Sequence, residues 1–401
     1  MKKHNNRPTA AKFSVLRQLG NLIPAFLVPR LAREHQSEEH ARTFSHWSHV
    51  VALIYAQLTH SLGLNDVCDA LRLHSGPLSA IRGATPPSRN GLSNANKVRP
   101  AAMAEDLFWN VLSHLQSLSP DFCGGKHSGR LRRFKRHIHV VDATVIQLVA
   151  NSLDWAKHRR RKAAAKCHLR LDLQSLLPRM VIIGTAREHE STRARELCAP
   201  VKAGEIVIFD KGYLDFDHLA DLGTRGVFWV TRAKDNTAYD LVDRRACAAR
   251  IVSDETILLR EGLLVRRIVA RVEVDGVERE MTFLSNNFEW SAQTIVDLYR
   301  CRWEIEVFFK QVKQTLQLAD FLGHNANAVR WQVWTALLVY VLLKYMAWSS
   351  GWGHSFIRLF TLTRTALWQK VDLAGLLRGY GTAQGHFRFL GRPEQAYFAG
   401  M

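Results

Sequence analysis

The sequence predicts an α/β fold: a mixed sheet core interrupted by a β-rich insertion and preceded by a helical N-terminal domain. Three observations predict it. Between residues 138 and 231, short β-rich runs alternate with helical stretches. Over 235–288 that rhythm gives way to strand-like pieces alone. Before residue 120, the apolar residues gather in runs of helical length.

The chain has 401 residues, enough for two or three domains and a sizeable core. Hydrophobic residues make up 47%, which excludes wholesale disorder. Lys and Arg number 55 against 36 Asp and Glu, a formal net charge of +19. A polyanion partner accounts for that excess, and nucleic acid is the commonest; ribosome or membrane-surface binding would also account for it. The six cysteines are scattered and form no CxxC pair, which fits a reducing compartment and argues against a disulfide framework or a zinc site. The basic N-terminus leads into no signal-type apolar core. The most apolar stretch, Trp331 to Trp348, is interrupted by Gln332 and Lys344 and predicts a buried helix rather than a membrane span.

Residues 1–45 are basic and weakly patterned. Helices are expected over Trp47–His60, Asn65–His74 and Ala101–Ser117, with a break at Ser61-Leu62-Gly63 and an irregular connection marked by Pro77, Gly83, Pro86-Pro87 and Gly91. Helix, short Gly-containing turn, helix suits a DNA-binding unit and suits an ordinary bundle as well. Residues 1–125 are accordingly read as a helical N-terminal DNA-binding domain, and 126–234 as the first part of the core. A basic segment, Lys126 to His137, runs into the strand beginning at Ile138; a second basic run covers Lys157 to Lys162. Strands follow at His168–Leu173 and Met180–Ile183, then a helix at Ser191–Cys198, a strand at Ile206–Phe209, a helix at Leu214–Leu222 and a strand at Val227–Thr231. The order β-β-β-α-β-α-β, a meander followed by helical crossovers, is that of an RNase H-like core. It puts Asp142 on the first strand and Asp210 at the end of the fourth, which are neighbours in that fold. The insertion, 235–288, holds strand-like pieces at Ile257–Leu259, Leu264–Val274 and Glu280–Leu284, with a hairpin signal at Asp275-Gly276. Residues 289–348 complete the core, with one long helix expected from Ala292 to Leu318. The tail, 349–401, has helical character around Ser355–Leu376 and is a candidate dimer contact.

Three blocks carry acidic residues that the local pattern gives no reason to bury: Asp142, Asp210 and Glu306. At roughly 100° per residue, Tyr299, Arg302, Glu306 and Lys313 fall at about 0°, 300°, 340° and 320° on one helix, an arc of roughly 60°. Such a face is either a solvated surface with an Arg302–Glu306 pair or aimed at a charged ligand. Two carboxylate charges 4 Å apart repel by about 1 kcal/mol in water and about 4 at an effective dielectric of 20. Divalent cations relieve that repulsion, and Mg²⁺ suits carboxylates, water and phosphate oxygens. Two such ions can activate a water or 3′-hydroxyl and stabilise a leaving oxygen, with no protein nucleophile.

The spacing Tyr299-x2-Arg302-x3-Glu306-x6-Lys313 matches the YREK signature of DDE transposases of bacterial insertion sequences, family four. Asp210-Lys211-Gly212-Tyr213 and Val141-Asp142-Ala143-Thr144 resemble that family's two Asp motifs, with Lys211 where Arg is commoner. The resemblance extends over most of residues 45–345. It implies an RNase H-like fold and cut-and-paste transposition, with Asp142, Asp210 and Glu306 as catalytic residues holding two Mg²⁺ ions, Mn²⁺ being able to substitute. Tyr299, Arg302, Lys313 and Lys211 would hold DNA phosphates. Some relatives form a DNA hairpin and stack a tryptophan on a flipped base. Trp229 is one candidate for that role, although its apolar strand also suits the core, and Trp290 is another. Arg159 and Arg160, in the second basic run, would touch the DNA backbone. His189 could sit near the metals, and Glu188 and Glu190 stay unassigned. The implied partners are double-stranded DNA, as terminal inverted repeats and target, and a second copy of the chain in a synaptic complex, without membrane. The implied location is the bacterial cytoplasm, at the nucleoid. A non-catalytic transposase-derived DNA-binding protein and a host RNase H-like nuclease are the alternatives.

Overall fold

A computed structural model describes residues 10–37, 44–61, 63–122, 134–148, 157–159, 162–185, 190–234, 236–247, 250–259, 262–274, 276–315, 322–323 and 325–379. They fall into two compact units. One is mainly helical and combines 1–122 and 310–400 with the strand-bearing segment 146–164; the other is built on a sheet and combines 123–145 with 165–309.

The helical unit contains α1 (Val15–Asn21), α2 (Leu27–Glu34), α3 (His46–Thr59), α4 (Leu64–Leu73), α5 (Ser75–Ser79), α6 (Arg89–Val98) and α7 (Ala101–Leu118). From the far end of the sequence it takes α12 (Ala326–Ser350), α13 (Phe356–Thr365) and α14 (Leu373–Gly379). Two short helices thus lie where the sequence is only weakly patterned. Ser14 caps α1 by accepting the Arg17 N–H, and Leu27, Val28 and Leu31 bury one stripe of α2. Likewise α5 and α6 replace much of the irregular connection expected around Pro77 to Gly91; the Ser88 hydroxyl caps α6 by accepting the Gly91 N–H. The helix α12 is long and apolar enough to cross a membrane, but its side chains are largely buried against α3 and α7. Its polar members are satisfied inside: Gln332 accepts the Leu322 N–H at 2.6 Å, and the Trp331 indole donates to the Arg99 carbonyl at 2.8 Å. The helices α13 and α14 belong to this unit too. Gln18 on α1 donates to the Val371 carbonyl and accepts the Leu373 N–H at the start of α14.

The sheet strands are β1 (Ile138–Leu148), β2 (Lys157–Arg159), β3 (Lys162–Asp172), β4 (Leu177–Thr185), β5 (Ile206–Phe209), β6 (Phe228–Arg232), β7 (Tyr239–Arg244), β8 (Ile251–Leu259), β9 (Leu264–Val274) and β10 (Val277–Ser285). The helices α8 (Glu190–Cys198) and α9 (Phe216–Thr224) make the crossovers around β5. Neighbours run β3-β1-β5-β6-β10-β9-β8-β7, with β4 antiparallel to β3 and the short β2 pairing the start of β3. The strand β5 is parallel to both β1 and β6. The series β4-β3-β1-β5-β6 has the neighbour order of an RNase H-like core. The insertion is continuous with that sheet: β10 pairs antiparallel with β6, Phe283 opposite Arg232, and extends it through β9, β8 and β7. The β9–β10 hairpin closes with Val274 opposite Val277, and Gly276 takes a φ of 74°, the left-handed region in which glycine is unstrained. The core of this unit gathers Val141, Val207, Phe209, Leu219, Trp229 and Leu284.

The single helix expected over Ala292–Leu318 is divided. It comprises α10 (Ala292–Arg300), a turn at Cys301-Arg302, α11 (Trp303–Lys310) and a π turn at Gln311–Thr315; 316–318 lie outside the described residues. At the first break the backbone tightens: Arg302 N–H donates to the Tyr299 carbonyl at 2.9 Å and Ile305 N–H to the Arg302 carbonyl at 3.1 Å.

Candidate active site

Register brings the two aspartates together. In the parallel β1–β5 pair, Ile138 lies opposite Ile206 and Val141 opposite Phe209. Asp142 and Asp210 each follow the last of these pairs, so they stand at the same level on adjacent strands. After Asp210 the chain leaves the strand through a 3₁₀ turn, Lys211–Tyr213. Tyr213 is buried beneath that turn, its hydroxyl 3.3 Å from His168 Nδ1 on β3, and this anchors the turn while Lys211 stays exposed.

Glu306 comes from α11. The buried Ile305, Phe308 and Phe309 fix that helix, and Ser291 caps α10 by accepting the Thr294 N–H at 3.2 Å. The tight turn at Arg302 also has a geometric effect: side chains at i and i+3 eclipse in a 3₁₀ turn, so Tyr299 and Arg302 share a face. The Tyr299 hydroxyl donates to Asp210 Oδ1 at 3.2 Å. Arg302 Nη1 donates to Asp142 Oδ2 at 2.9 Å, and its Nη2 donates to Glu306 Oε1. The other Asp142 oxygen, Oδ1, accepts the Ala143 N–H at 2.7 Å. All three acidic residues are thus engaged by one Tyr–Arg pair. The straight-helix geometry is corrected in detail, since the face is made by a broken helix.

The electrostatics follow from that packing. Burial opposes the Arg302 charge, but the Tyr299 phenol oxygen and the carboxylates of Asp142, Glu306 and Asp210 outweigh it and hold the guanidinium above its ordinary pKa. Burial pushes the Tyr299 phenol up; Asp210 adds to the rise, while Arg302 and Arg232 oppose it. Among the described residues, no group of three or more His, Cys, Asp or Glu is set to hold a metal ion. The Arg302 guanidinium lies between Asp142 and Glu306 and bonds to both. The donor chemistry itself, hard carboxylate oxygens from two strands and a helix, suits a hard divalent cation.

Not every expected residue joins the cluster. Trp229 is fully buried in β6 and its indole N–H donates to the Leu219 carbonyl at 3.0 Å, so its ring packs in the core and presents no exposed face for stacking. Trp290 is half-buried, its ring against Phe134 and Phe228. Lys313 lies on the π turn, where burial lowers its pKa. Arg159 is in β2; Arg160, Glu188 and His189 lie outside the described residues, as does the side chain of Glu190. Two residues were missed. Arg232, at the end of β6, is a second cation acting on Tyr299. Trp303, beside Arg302, is 61% exposed; in the sequence it stands between Arg302 and Glu304, a large aromatic flanked by charges.

Residues 133–342 match the family described as Transposase DDE domain, and residues 12–81 match a domain of unknown function. The Sinorhizobium fredii (strain NBRC 101917 / NGR234) protein y4zB, a transposase by name, is 28% identical over 326 residues, covering 78% of this chain and 86% of that protein. A transposase by name for insertion sequence element IS5377 of Geobacillus stearothermophilus is 27% identical over 61% of this chain and 65% of its own length. The transposase for IS231E of Bacillus thuringiensis subsp. finitimus is 26% identical over 80% of this chain and 77% of its own length. Among solved structures, the cryo-EM structure of a piggyBac transposase synaptic complex with hairpin DNA aligns over 90% of this chain and 82% of that one, with a TM-score of 0.48 and 9% identity, a likeness too weak to bear on the site. The match over 133–342 spans more than half of the sequence, and the chain belongs to that family: it is a DDE transposase of the insertion-sequence kind, an enzyme acting on DNA in a family that uses divalent metal ions.

Proposed function

We propose that this transposase excises its own element and inserts it elsewhere, with Asp142, Asp210 and Glu306 as the metal-holding catalytic triad. The observation that carries this is the convergence of the three carboxylates on Tyr299 and Arg302 from β1, the end of β5 and α11. Two Mg²⁺ ions, or Mn²⁺ in their place, would supply activation of the attacking water or 3′-hydroxyl and stabilisation of the leaving oxygen. Tyr299 orients Asp210 through its hydroxyl. Lys211, exposed directly after Asp210, and the cations Arg302 and Lys313 would contact phosphates of the element's end. Arg159 and Arg160 would contact the DNA backbone. Trp303 offers an aromatic face of the kind on which bases stack. The substrates would be duplex terminal inverted repeats and then target DNA, held by a homodimer in the bacterial cytoplasm at the nucleoid. The scattered cysteines and the insertion-sequence names of the relatives support that setting.

The test is Asp142→Asn. It keeps the size of the side chain and removes a charge. End cleavage and strand transfer in Mg²⁺ are expected to be lost while affinity for the element's end, measured by fluorescence anisotropy, persists. Cleavage at the ends by this variant would sink the triad.

A further inference from the structure

We propose that Arg302 is an exchangeable counterion that keeps the carboxylate site shut to metal until DNA draws it away. This rests on the reading that Asp142 and Glu306 hold divalent metal. Arg302 donates one guanidinium nitrogen to Asp142 and the other to Glu306, residues 160 and four positions away in the chain. An α-helical Arg–Glu pair four residues apart forms readily by itself. The contact to Asp142 is different in kind, because it closes the gap between α11 and β1 with a fixed positive charge.

The pair is only partly open to water, with side-chain exposures of 18% for Arg302, 16% for Asp142 and 33% for Glu306, so neither carboxylate is screened as a surface group would be. A divalent ion on the same two carboxylates would compete with the guanidinium for their charge. Arg302 has one alternative partner of comparable strength, since its planar fork matches a phosphate as well as a carboxylate. A DNA phosphate arriving at the site takes the guanidinium and frees the two carboxylates together. Metal and DNA then bind with positive coupling, each raising the affinity of the other by the same factor. The Tyr299 hydroxyl, and not Arg302, is what holds Asp210, so release of the guanidinium frees the other two carboxylates without breaking that contact. The consequence is an enzyme that loads metal well only with DNA in place, which suppresses stray hydrolysis.

The experiment titrates the full-length, DNA-free protein with Mn²⁺ and follows free Mn²⁺ by electron paramagnetic resonance. Arg302→Gln is expected to bind Mn²⁺ more tightly than wild type, on the order of tenfold, within the range typical of coupled sites. Arg302→Lys, which keeps the charge without the fork, is expected between the two. Asp142→Asn is expected to abolish this binding in both the wild-type and Arg302→Gln backgrounds. Adding a duplex of the element's end, with the Mn²⁺ taken up by the duplex alone subtracted, should raise wild-type affinity towards that of Arg302→Gln and change the variant little. Equal affinities for wild type and Arg302→Gln, with Asp142→Asn still abolishing binding, overturn the counterion role and leave the metal site standing. Mn²⁺ binding indifferent to Asp142→Asn overturns both. If Arg302→Gln fails to fold, the wild-type response decides: no gain in Mn²⁺ affinity on adding the duplex overturns the proposal.

Discussion

His49 shows how one residue fixes a pH limit on the helical unit. It lies on α3 with no exposure, its Nε2 2.8 Å from Asn96 Oδ1 and its ring against Trp331 at 4.7 Å. Burial, with the nearby Arg99 charge, lowers its pKa to about 3, the Asn96 hydrogen bond opposing only in part. The folded state therefore keeps His49 neutral where the unfolded chain, near pKa 6.5, takes a proton. Stability is full above pH 6.5 and falls with pH through the window down to about 3. Between pH 6.5 and pH 5 this one group is expected to cost about 2 kcal/mol. Burial also lowers the pKa of His139 and His218, so they act in the same direction. The informative comparison is wild type with His49→Gln, whose amide can still donate to Asn96. Urea midpoints at pH 7 and pH 5 should separate less for the variant. Identical separations would show that His49 is protonated in the folded protein.

At the scale of elements, β6 places Trp229 in the core. Its indole fills the core between the sheet and α9 and donates to the Leu219 carbonyl. Trp229→Ala is expected to destabilise by about 3–5 kcal/mol through the cavity it leaves. Trp229→Phe keeps most of the ring but loses the indole hydrogen bond to a carbonyl that α9 itself already engages, a loss of about 1 kcal/mol beyond the smaller ring. End cleavage per folded molecule by Trp229→Phe should match wild type; a variant with wild-type melting that cleaves poorly would restore the base-stacking role. The same strand explains what could be read in advance. Ile206–Phe209 is apolar throughout because both faces of β5 are covered, so its identity as a central strand, and Asp210's place at its end, were legible from four letters. The break at Cys301-Arg302 was not. No Gly or Pro marks it, the helical period runs straight through it, and the turn is held by contacts to residues 89 and 160 positions away. The helices α1 and α2 escaped for another reason: they are seven and eight residues long, and helices that short draw their stability from packing rather than propensity. The insertion was legible as β-rich, but its merger with the core sheet rests on the β6–β10 register, which no local pattern encodes.

Across the whole molecule the decisive quantity is the charge of +19. A protein that neutralises several DNA phosphates releases their counterions, so its affinity falls linearly on a log–log plot against salt, with a slope of about −0.9 per phosphate neutralised. With six to ten contacts the loss between about 50 and 200 mM salt is on the order of a thousandfold to a hundred-thousandfold. Asp142→Asn is the suitable background for the measurement, since it should bind without cutting. Within that background, neutralising Arg159 and Arg160 together to Gln removes two cations from the basic run at Lys157 to Lys162. If both lie on the backbone, the slope should become shallower by about 2. Affinity should drop by a similar factor for end DNA and for random duplex, because phosphate contacts carry no sequence information. A slope that stays put while affinity for end DNA alone falls would remove this run from the DNA backbone and assign it to recognition of the ends. The two results therefore separate a chain whose excess charge is a general grip on DNA from one in which it helps to choose the site of cutting.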